Sequence, residues 1–349
     1  MPIPVKAECV HVVMQSSLGS AATITVGTTP ALRVVGGVTI DRRGEGQITR
    51  TDLSSSLGGP VAPRLGSLGW TMSFRTELYG PTSAADLTTT PLAPLFYASA
   101  PVVETDSNPD TTTWTPALGP APTAGGSIPT AGGVGVVTIA VDEIGGNRYQ
   151  LYDGAAILTG IEADAGGIIY LDWTVEGKWV VPAASTVTAG SEDYDPSSAY
   201  ELVPWRFCGT TLTTGITGTP TGLASMSCDS GQALVERMSA GSDGAQCMAT
   251  SFIDRNPDGP MIGITIDADD ETSLAAWTEY IAGSTEARSI VIPAPSGASI
   301  ASCTLALASA WVDTPERGGD AYRTYDLTMR GTTEGGTAPF VLTFTGAAE

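Results

Sequence analysis

Lysine is nearly missing from this chain. Only Lys6 and Lys178 occur in 349 residues, and Lys and Arg together number 16 against 37 Asp and Glu, a formal charge of −21. Gripping DNA or RNA relies on neutralising phosphates, so a chain this acidic is a poor nucleic-acid binder, though it can stand beside DNA without adhering. The acidity serves either solubility or a functional acidic surface, and composition leaves both open. Histidine is scarcer still: His11 is the only one. It sits in the apolar stretch Val10-His11-Val12-Val13-Met14, which suits a packed imidazole better than Ser-His-Asp, Cys-His or multi-histidine metal chemistry. The five cysteines, Cys9, Cys208, Cys228, Cys247 and Cys303, are odd in number and hold no Cys-x-x-Cys pair. That argues against a disulfide framework or a zinc site and for reduced, mostly buried thiols. No run approaches ~18 apolar residues, so no membrane-spanning helix is expected. Met1-Pro2-Ile3-Pro4-Val5-Lys6 lacks the basic-then-apolar pattern of a signal peptide, and no Asn-x-Ser/Thr sequon occurs. The expectation is folding in a cytoplasm.

What the chain has in quantity is Thr, Ser, Val, Gly and Pro, the composition of strands and turns. A prior of roughly 100–200 residues per domain suggests two domains. The stretch that organises the first is Gly69-Trp70-Thr71-Met72-Ser73-Phe74-Arg75-Thr76-Glu77-Leu78-Tyr79-Gly80. Trp70, Met72, Phe74 and Leu78 alternate with Thr71, Ser73, Arg75 and Glu77, which separates a core face from a wet face and predicts a long strand. Residues 1–32 read as an N-terminal arm or strand, a strand follows over 33–41, and 43–64 reads as a long loop. Pro91-Leu92-Ala93-Pro94-Leu95-Phe96-Tyr97-Ala98 suits a short helix entered through proline. Residues 101–135 read as loop, then two hairpins follow: 135–142 with 149–151, and 155–163 with 168–177 around Ala165-Gly166-Gly167. In the last strand Ile169, Leu171, Trp173 and Val175 share one face, and Tyr170, Asp172, Thr174 and Glu176 the other.

Residues 181–200 combine Pro, Gly and acids without a periodic face, which reads as a linker. The expected division is therefore 1–32 as arm, 33–180 as first domain, 181–200 as linker and 201–349 as second domain. The second half repeats the plan of the first. Strands are expected near 225–228 and 233–238, then at 261–267, 289–292, 302–312, 323–330 and 340–345. Between them lies a helix capped by Thr272 or Ser273, with Leu274, Trp277 and Ile281 as its apolar stripe and Gly283 as its stop. Gly69-Trp70-Thr71-Met72 aligns with Gly259-Pro260-Met261-Ile262, and Thr174-Val175-Glu176-Gly177 with Thr328-Met329-Arg330-Gly331. The order of elements reads as an old duplication with insertions in the first copy; coincidence among Gly/Thr-rich strands is the alternative.

No catalytic, cofactor or metal site emerges. Asp267, Asp269, Asp270 and Glu271 could hold a hard cation such as calcium, but they precede a helix, where acids oppose its dipole. Gly132-Gly133-Val134-Gly135 lacks the spacing and following helix of a phosphate loop.

Asp41-Arg42-Arg43, a long loop, the strand Gly69–Gly80 and the helix Pro91–Ala98 together resemble the major tail tube proteins of long-tailed, siphovirus-like bacteriophages. That family carries a G-x-x-x-x-S-F-x-x-E-L-x-G strand leading into an x-L-x-x-L-L-x-A helix. Its closing hairpin, A-G-x-x-x-x-L-x-F-x-F-x-G, is similar to Ala165-Gly166-Gly167-Ile168-Ile169-Tyr170-Leu171-Asp172-Trp173-Thr174-Val175-Glu176-Gly177, with Trp173 where the family often has Phe. The likeness covers most of residues 33–180; the loop at 101–135 is extra, and the second half matches more faintly. The resemblance implies two tandem tube-like β-sandwich or barrel domains, each with a short helix, in a non-enzymatic virion protein. Three copies would supply six domains to a pseudo-hexameric ring, and rings would stack into the tail tube through which DNA is ejected. The implied partners are further copies of itself and the tape-measure, tail-tip and terminator proteins, with DNA passing unbound. Candidate lumen-facing acids are Glu77, Asp172, Glu176 and Asp267, which equally suit an outer solvent face. The loops at 43–68 and 239–260 are candidates for stacking between rings. Other readings are a terminator, an Hcp-like secretion tube, or a carbohydrate-binding or adhesive β module using Trp114 and Trp179.

Overall fold

In the computed structural model the described residues are 8–26, 29, 31–43, 47–48, 53–54, 59–60, 64–65, 69–79, 90–105, 110–116, 134–187, 204–213, 222–238, 249–255, 259–267, 270–295, 300–318, 324–332 and 339–346. They are mainly β. The first half runs β1 (Glu8–Met14), β2 (Ala31–Leu32), β3 (Val34–Arg43), β4 (Gln47–Ile48), β5 (Leu53–Ser54), β6 (Gly59–Pro60), β7 (Arg64–Leu65) and β8 (Gly69–Glu77). Then come α1 (Ala93–Ser99), β9 (Val102–Thr105), β10 (Thr111–Trp114), β11 (Val137–Glu143), β12 (Asn147–Asp164) and β13 (Tyr170–Ala184). The second half runs β14 (Thr211–Thr213), β15 (Leu223–Asp229), β16 (Gln232–Met238), β17 (Ala249–Arg255), β18 (Met261–Asp267) and α2 (Asp270–Ala282). It closes with β19 (Glu286–Pro293), β20 (Ile300–Val312), β21 (Glu316–Gly318), β22 (Thr324–Gly331) and β23 (Val341–Gly346). Among the described residues no helix is long and apolar enough to cross a membrane.

Period two built the central ladder. β8 buries Met72, Phe74 and Thr76 and leaves Thr71, Ser73, Arg75 and Glu77 partly exposed. Thr76, which interrupts the apolar series, is fully buried and accepts a hydrogen bond from Trp173 Nε1 at 3.1 Å. Its partner strand β13 buries Leu171, Trp173 and Val175 opposite it. The two backbones approach so closely at the end of this ladder that a Cβ on Gly69 would lie 2.9 Å from the Gly177 carbonyl oxygen, which is why glycine stands there.

The two halves carry the same ladder. Met72 faces Ile40 on β3 and Val175 on β13; in the second half Ile262 faces Cys228 on β15 and Met329 on β22. The irregularities coincide as well. Between Ala156↔Val175 and Gly160↔Asp172 the longer strand carries one extra residue, and the same surplus lies between Val312↔Met329 and Glu316↔Asp326. The β11–β12 ladder shifts register between Val137 and Ile139, and the β19–β20 ladder shifts at the matching place, between Glu286 and Arg288. β1 flanks β11 as β14 flanks β19.

Both halves also extend the β3–β8 type of hairpin into an arm. Residues 43–68, expected as loop, continue the pairing Arg43↔Gly69 through Gln47↔Leu65, Ile48↔Arg64, Leu53↔Pro60 and Ser54↔Gly59. In the second half β15 and β18 lead into the paired β16 and β17. There the bend passes through Gly231 and Gly259, at φ of 74° and 69°, values open to glycine at little cost.

Among the described residues seventeen strands join in one sheet. Its halves meet where β12 pairs with β15, and again where β23 pairs with both β20 and β10. Their apolar faces share a core centred on Phe96 of α1. Its ring meets Trp114 at 5.8 Å, Trp173 at 5.1 Å and Phe344 at 6.3 Å, all edge-to-face. Such contacts add roughly 0.5–1.5 kcal/mol each beyond area burial.

Several expectations are corrected here. The stretch 101–135 contains β9 and β10, held by pairing with each other and with β23. The separate strands expected at 149–151 and 155–163 are one strand, β12, whose register shifts at Asp153, a non-glycine at φ 50°. β13 continues to Ala184, into the stretch read as linker, and residues 188–200 of that stretch lie outside the described residues. α2 begins at Asp270, before the expected caps Thr272 and Ser273. Two members of its expected apolar stripe point out, Trp277 at 38% and Ile281 at 78% exposed, while Ala276 is fully buried; the side chain of the third, Leu274, lies outside the described residues. The small alanine face lets the helix lie close to the sheet, and the large side chains are left outside.

Candidate functional site

The wet faces of β8 and β13 form one surface, because the antiparallel register places side chains of like parity side by side. Thr71 stands opposite Glu176, Ser73 opposite Thr174, Arg75 opposite Asp172, and Glu77 opposite Tyr170. Three of the four candidate acids therefore share this face. Each has a partner. Arg75 donates to both Asp172 oxygens at 2.7 Å and to Glu162 of β12 at 2.6 Å, and its guanidinium lies 5.5 Å from the Tyr170 ring centroid. The bond to Asp172 raises the Arg75 pKa above its ordinary value, so the cation is permanent. Arg43 at the end of β3 pairs with Glu176, which also accepts from Thr71 Oγ1 at 3.3 Å. Glu77 accepts from the Tyr79 hydroxyl. Burial, followed by the Glu77 contact, pushes that phenol up and keeps it neutral. The fourth candidate, Asp267, ends β18, but its side chain lies outside the described residues, as do the side chains of Asp269, Asp270 and Glu271.

The matching face of the second half carries the same kind of pairs with other residues. Thr265 Oγ1 donates to Asp326 at 2.6 Å where the first half has Arg75 on Asp172. Arg330 stands where Glu176 does and donates to Asp313 at 2.6 Å. The sequence marked the acids by parity; it missed Arg43, Arg75, Glu162, Asp313, Asp326 and Arg330, whose pairing follows from register between strands far apart in the chain. Across both halves this face presents Glu77, Glu162, Asp172, Glu176, Asp313 and Asp326 against Arg43, Arg75 and Arg330, a surplus of acid with every one of these arginines held by a carboxylate.

A depression of about 470 Å³ opens over the β12–β15 junction, lined by Arg75, Glu162, Asp164, Tyr170 and Ser227 among others. Among its lining residues the one cation, Arg75, is held by Asp172 and Glu162, and across the β12–β15 pairing Ser227 stands opposite Glu162 and Ser225 opposite Asp164. Among the described residues no group of three His, Cys, Asp or Glu is placed to hold a metal. His11 is fully buried, with Nδ1 3.1 Å from the Thr29 carbonyl oxygen and Nε2 3.3 Å from Cys9 Sγ. Cys9, Cys228 and Cys303 are buried and Cys208 is exposed. Of Gly132-Gly133-Val134-Gly135, the first two residues lie outside the described residues.

Trp114, one of two aromatics offered for sugar stacking, is fully buried, with Nε1 donating to Ser99 Oγ at 3.0 Å. A ring with no open face cannot stack on a glycan. Trp179 packs edge-on to Trp70 at 6.0 Å. The arm at 232–255 likewise turns inward at its base, where Ile253 and Leu234 cluster with Val134, Ala155 and Ile157. Its tip, 239–248, lies outside the described residues.

No protein-family model matches this chain, and no curated protein matches it.

Proposed function

We propose that this chain is a structural virion protein, without catalysis, that polymerises as stacked rings into the tail tube of a long-tailed bacteriophage. The observation that carries the reading is the strand order β3-β8-β13-β12-β15-β18-β22-β21, two like units side by side with one polar face in common. Three copies, each with two such units, make a pseudo-sixfold ring. The polar face lines the lumen. Its surplus carboxylates repel phosphate, and its arginines are already engaged by carboxylates, so DNA slides through a water-filled channel without being held. The partners are further copies of the chain and, at the ends and interior of the tube, terminator, tail-tip and tape-measure proteins. Assembly takes place in the host cytoplasm and the product resides in the virion.

Electron microscopy of the purified chain in negative stain over a concentration series tests this. Rings and hollow stacked tubes are expected as concentration rises. Monomers at every concentration, still present after tail-tip components are added, would refute the reading.

A further inference from the structure

We infer that the seam joining the two halves is also the seam joining one copy of the chain to the next, with the same antiparallel register. The inference rests on the ring reading and adds the residues that make the contact.

The internal seam pairs Ile161↔Cys228, Glu162↔Ser227, Ala163↔Met226 and Asp164↔Ser225. The first two of these pairs, Ile161↔Cys228 and Glu162↔Ser227, have counterparts on strand edges that take no other strand among the described residues. On one side, Cys228 and Met226 of β15 face Ile262 and Ile264, as Ile40 and Val38 of β3 face Met72 and Phe74. On the other, Ile161 and Glu162 of β12 face Leu171 and Tyr170, as Arg317 and Gly318 of β21 face Tyr325 and Thr324. Among the described residues β3 pairs with β8 alone and β21 with β22 alone, so neither counterpart edge carries a further strand, and the Glu8 side chain reaches the β3 edge. Substituting counterparts gives Ile40 opposite Arg317 and Thr39 opposite Gly318 of the next copy. Because the two edges differ, the contact is head-to-tail and propagates instead of closing on itself in a pair. A long open edge is a standing template for strand addition.

Two details fit that occupant. The Val38 amide, counterpart of the Met226 amide in the internal seam, donates to the Glu8 carboxylate at 2.8 Å, the acceptor that an incoming carbonyl would replace. Ala155 of β12 is fully buried in a cluster that includes Ile253 of the second arm, whereas its counterpart on β20, Trp311, is 37% exposed. Under the same operator the arm formed by β4–β7 of the next copy comes to rest over Trp311.

Cysteine cross-linking at the stated register tests the seam. In a Cys208→Ser background, Thr39→Cys with Gly318→Cys is oxidised with copper phenanthroline after assembly, and Thr39→Cys with Glu316→Cys, displaced by one step on the same face, serves as the control. Assembly of each variant is first verified by mass under reducing conditions. The matched pair is expected to give covalent multimers on a denaturing gel, and the displaced pair and each single variant to give none. Assemblies in which the matched pair fails to link, or in which the displaced pair links equally, would overturn the seam and leave the ring reading intact. Absence of any assembly by the unsubstituted chain would overturn both. Independently of cysteine, iodide quenching of fluorescence should fall on assembly, and Trp311→Phe should abolish most of that fall; an unchanged fall in Trp311→Phe would count against the arm's placement.

Discussion

The two helices occupy the same place in the two halves and are held there by opposite means. α1 is short and almost wholly buried; β9 and β10 follow it directly, and Phe96 and Tyr97 lie in the core. At the β11 register shift sits Ile139, fully buried. α2 is longer and shows Trp277, Tyr280 and Ile281 to the outside, and the residue at the matching register shift is Arg288, 1% exposed and paired with Glu279 of the helix. The backbone ladder is common to both halves while the chemistry under the helix is not. The two ladders share a register, and they differ in having Ile139 in one and the Arg288–Glu279 ion pair at the matching place in the other.

That contrast can be broken at either helix. The largest loss is expected for Phe96→Ala, about 3–5 kcal/mol of unfolding free energy in a urea titration, because the ring links α1 to strands of both halves and a cavity would remain. Glu279→Ala follows, at about 3 kcal/mol or more, since it leaves the Arg288 charge buried without its carboxylate. Converting the second half to the chemistry of the first, with Arg288→Met and Glu279→Leu together, is expected to be neutral or stabilising by about 1–4 kcal/mol. A loss equal to that of Glu279→Ala alone would show that the ion pair is not exchangeable for packing. The pair also predicts a pH dependence. Burial holds the Glu279 carboxyl above its ordinary value of 4.5, against the pull of Arg288. The folded state therefore keeps its proton longer than the unfolded one, and the contribution of this group falls as pH rises from the unfolded value through the folded one. Glu279→Gln should flatten the melting temperature over that window. Smaller still is Arg75→Thr, which gives the first half the Thr–Asp pairing of the second. With the Arg75 side chain 36% exposed, the cost should stay below about 1 kcal/mol. The smallest effects belong to Trp277→Ser and Ile281→Ser, within about 0.5 kcal/mol in the isolated chain.

How far the fold was legible follows from which forces are local. β8, the turn at 165–167, and the face shared by Asp172 and Glu176 were readable because alternation and glycine act within a few residues. The quoted likeness between the Gly69 and Gly259 stretches pointed to strands that do share a register. β9 and β10 were not readable: Thr111-Thr112-Thr113-Trp114 is four residues between proline-rich segments, and it is a strand because β23, some 230 positions later, pairs with it. The same is true of the β4–β7 arm, whose pairing carries no apolar alternation, and of the β12–β15 junction. α2 was read from its large side chains, yet Trp277 and Ile281 point outward and the small Ala276 is the buried one. The acids were found by parity; the arginines that neutralise them required register.

The central claim is that one chain holds two equivalent units joined by a seam that repeats between chains. Native mass spectrometry of the smallest closed assembly tests it most directly. The account predicts three copies of the 35.7 kDa chain, a head-to-tail ring with no closed pair. A stable two-fold dimer, or a monomer at all concentrations, would contradict it.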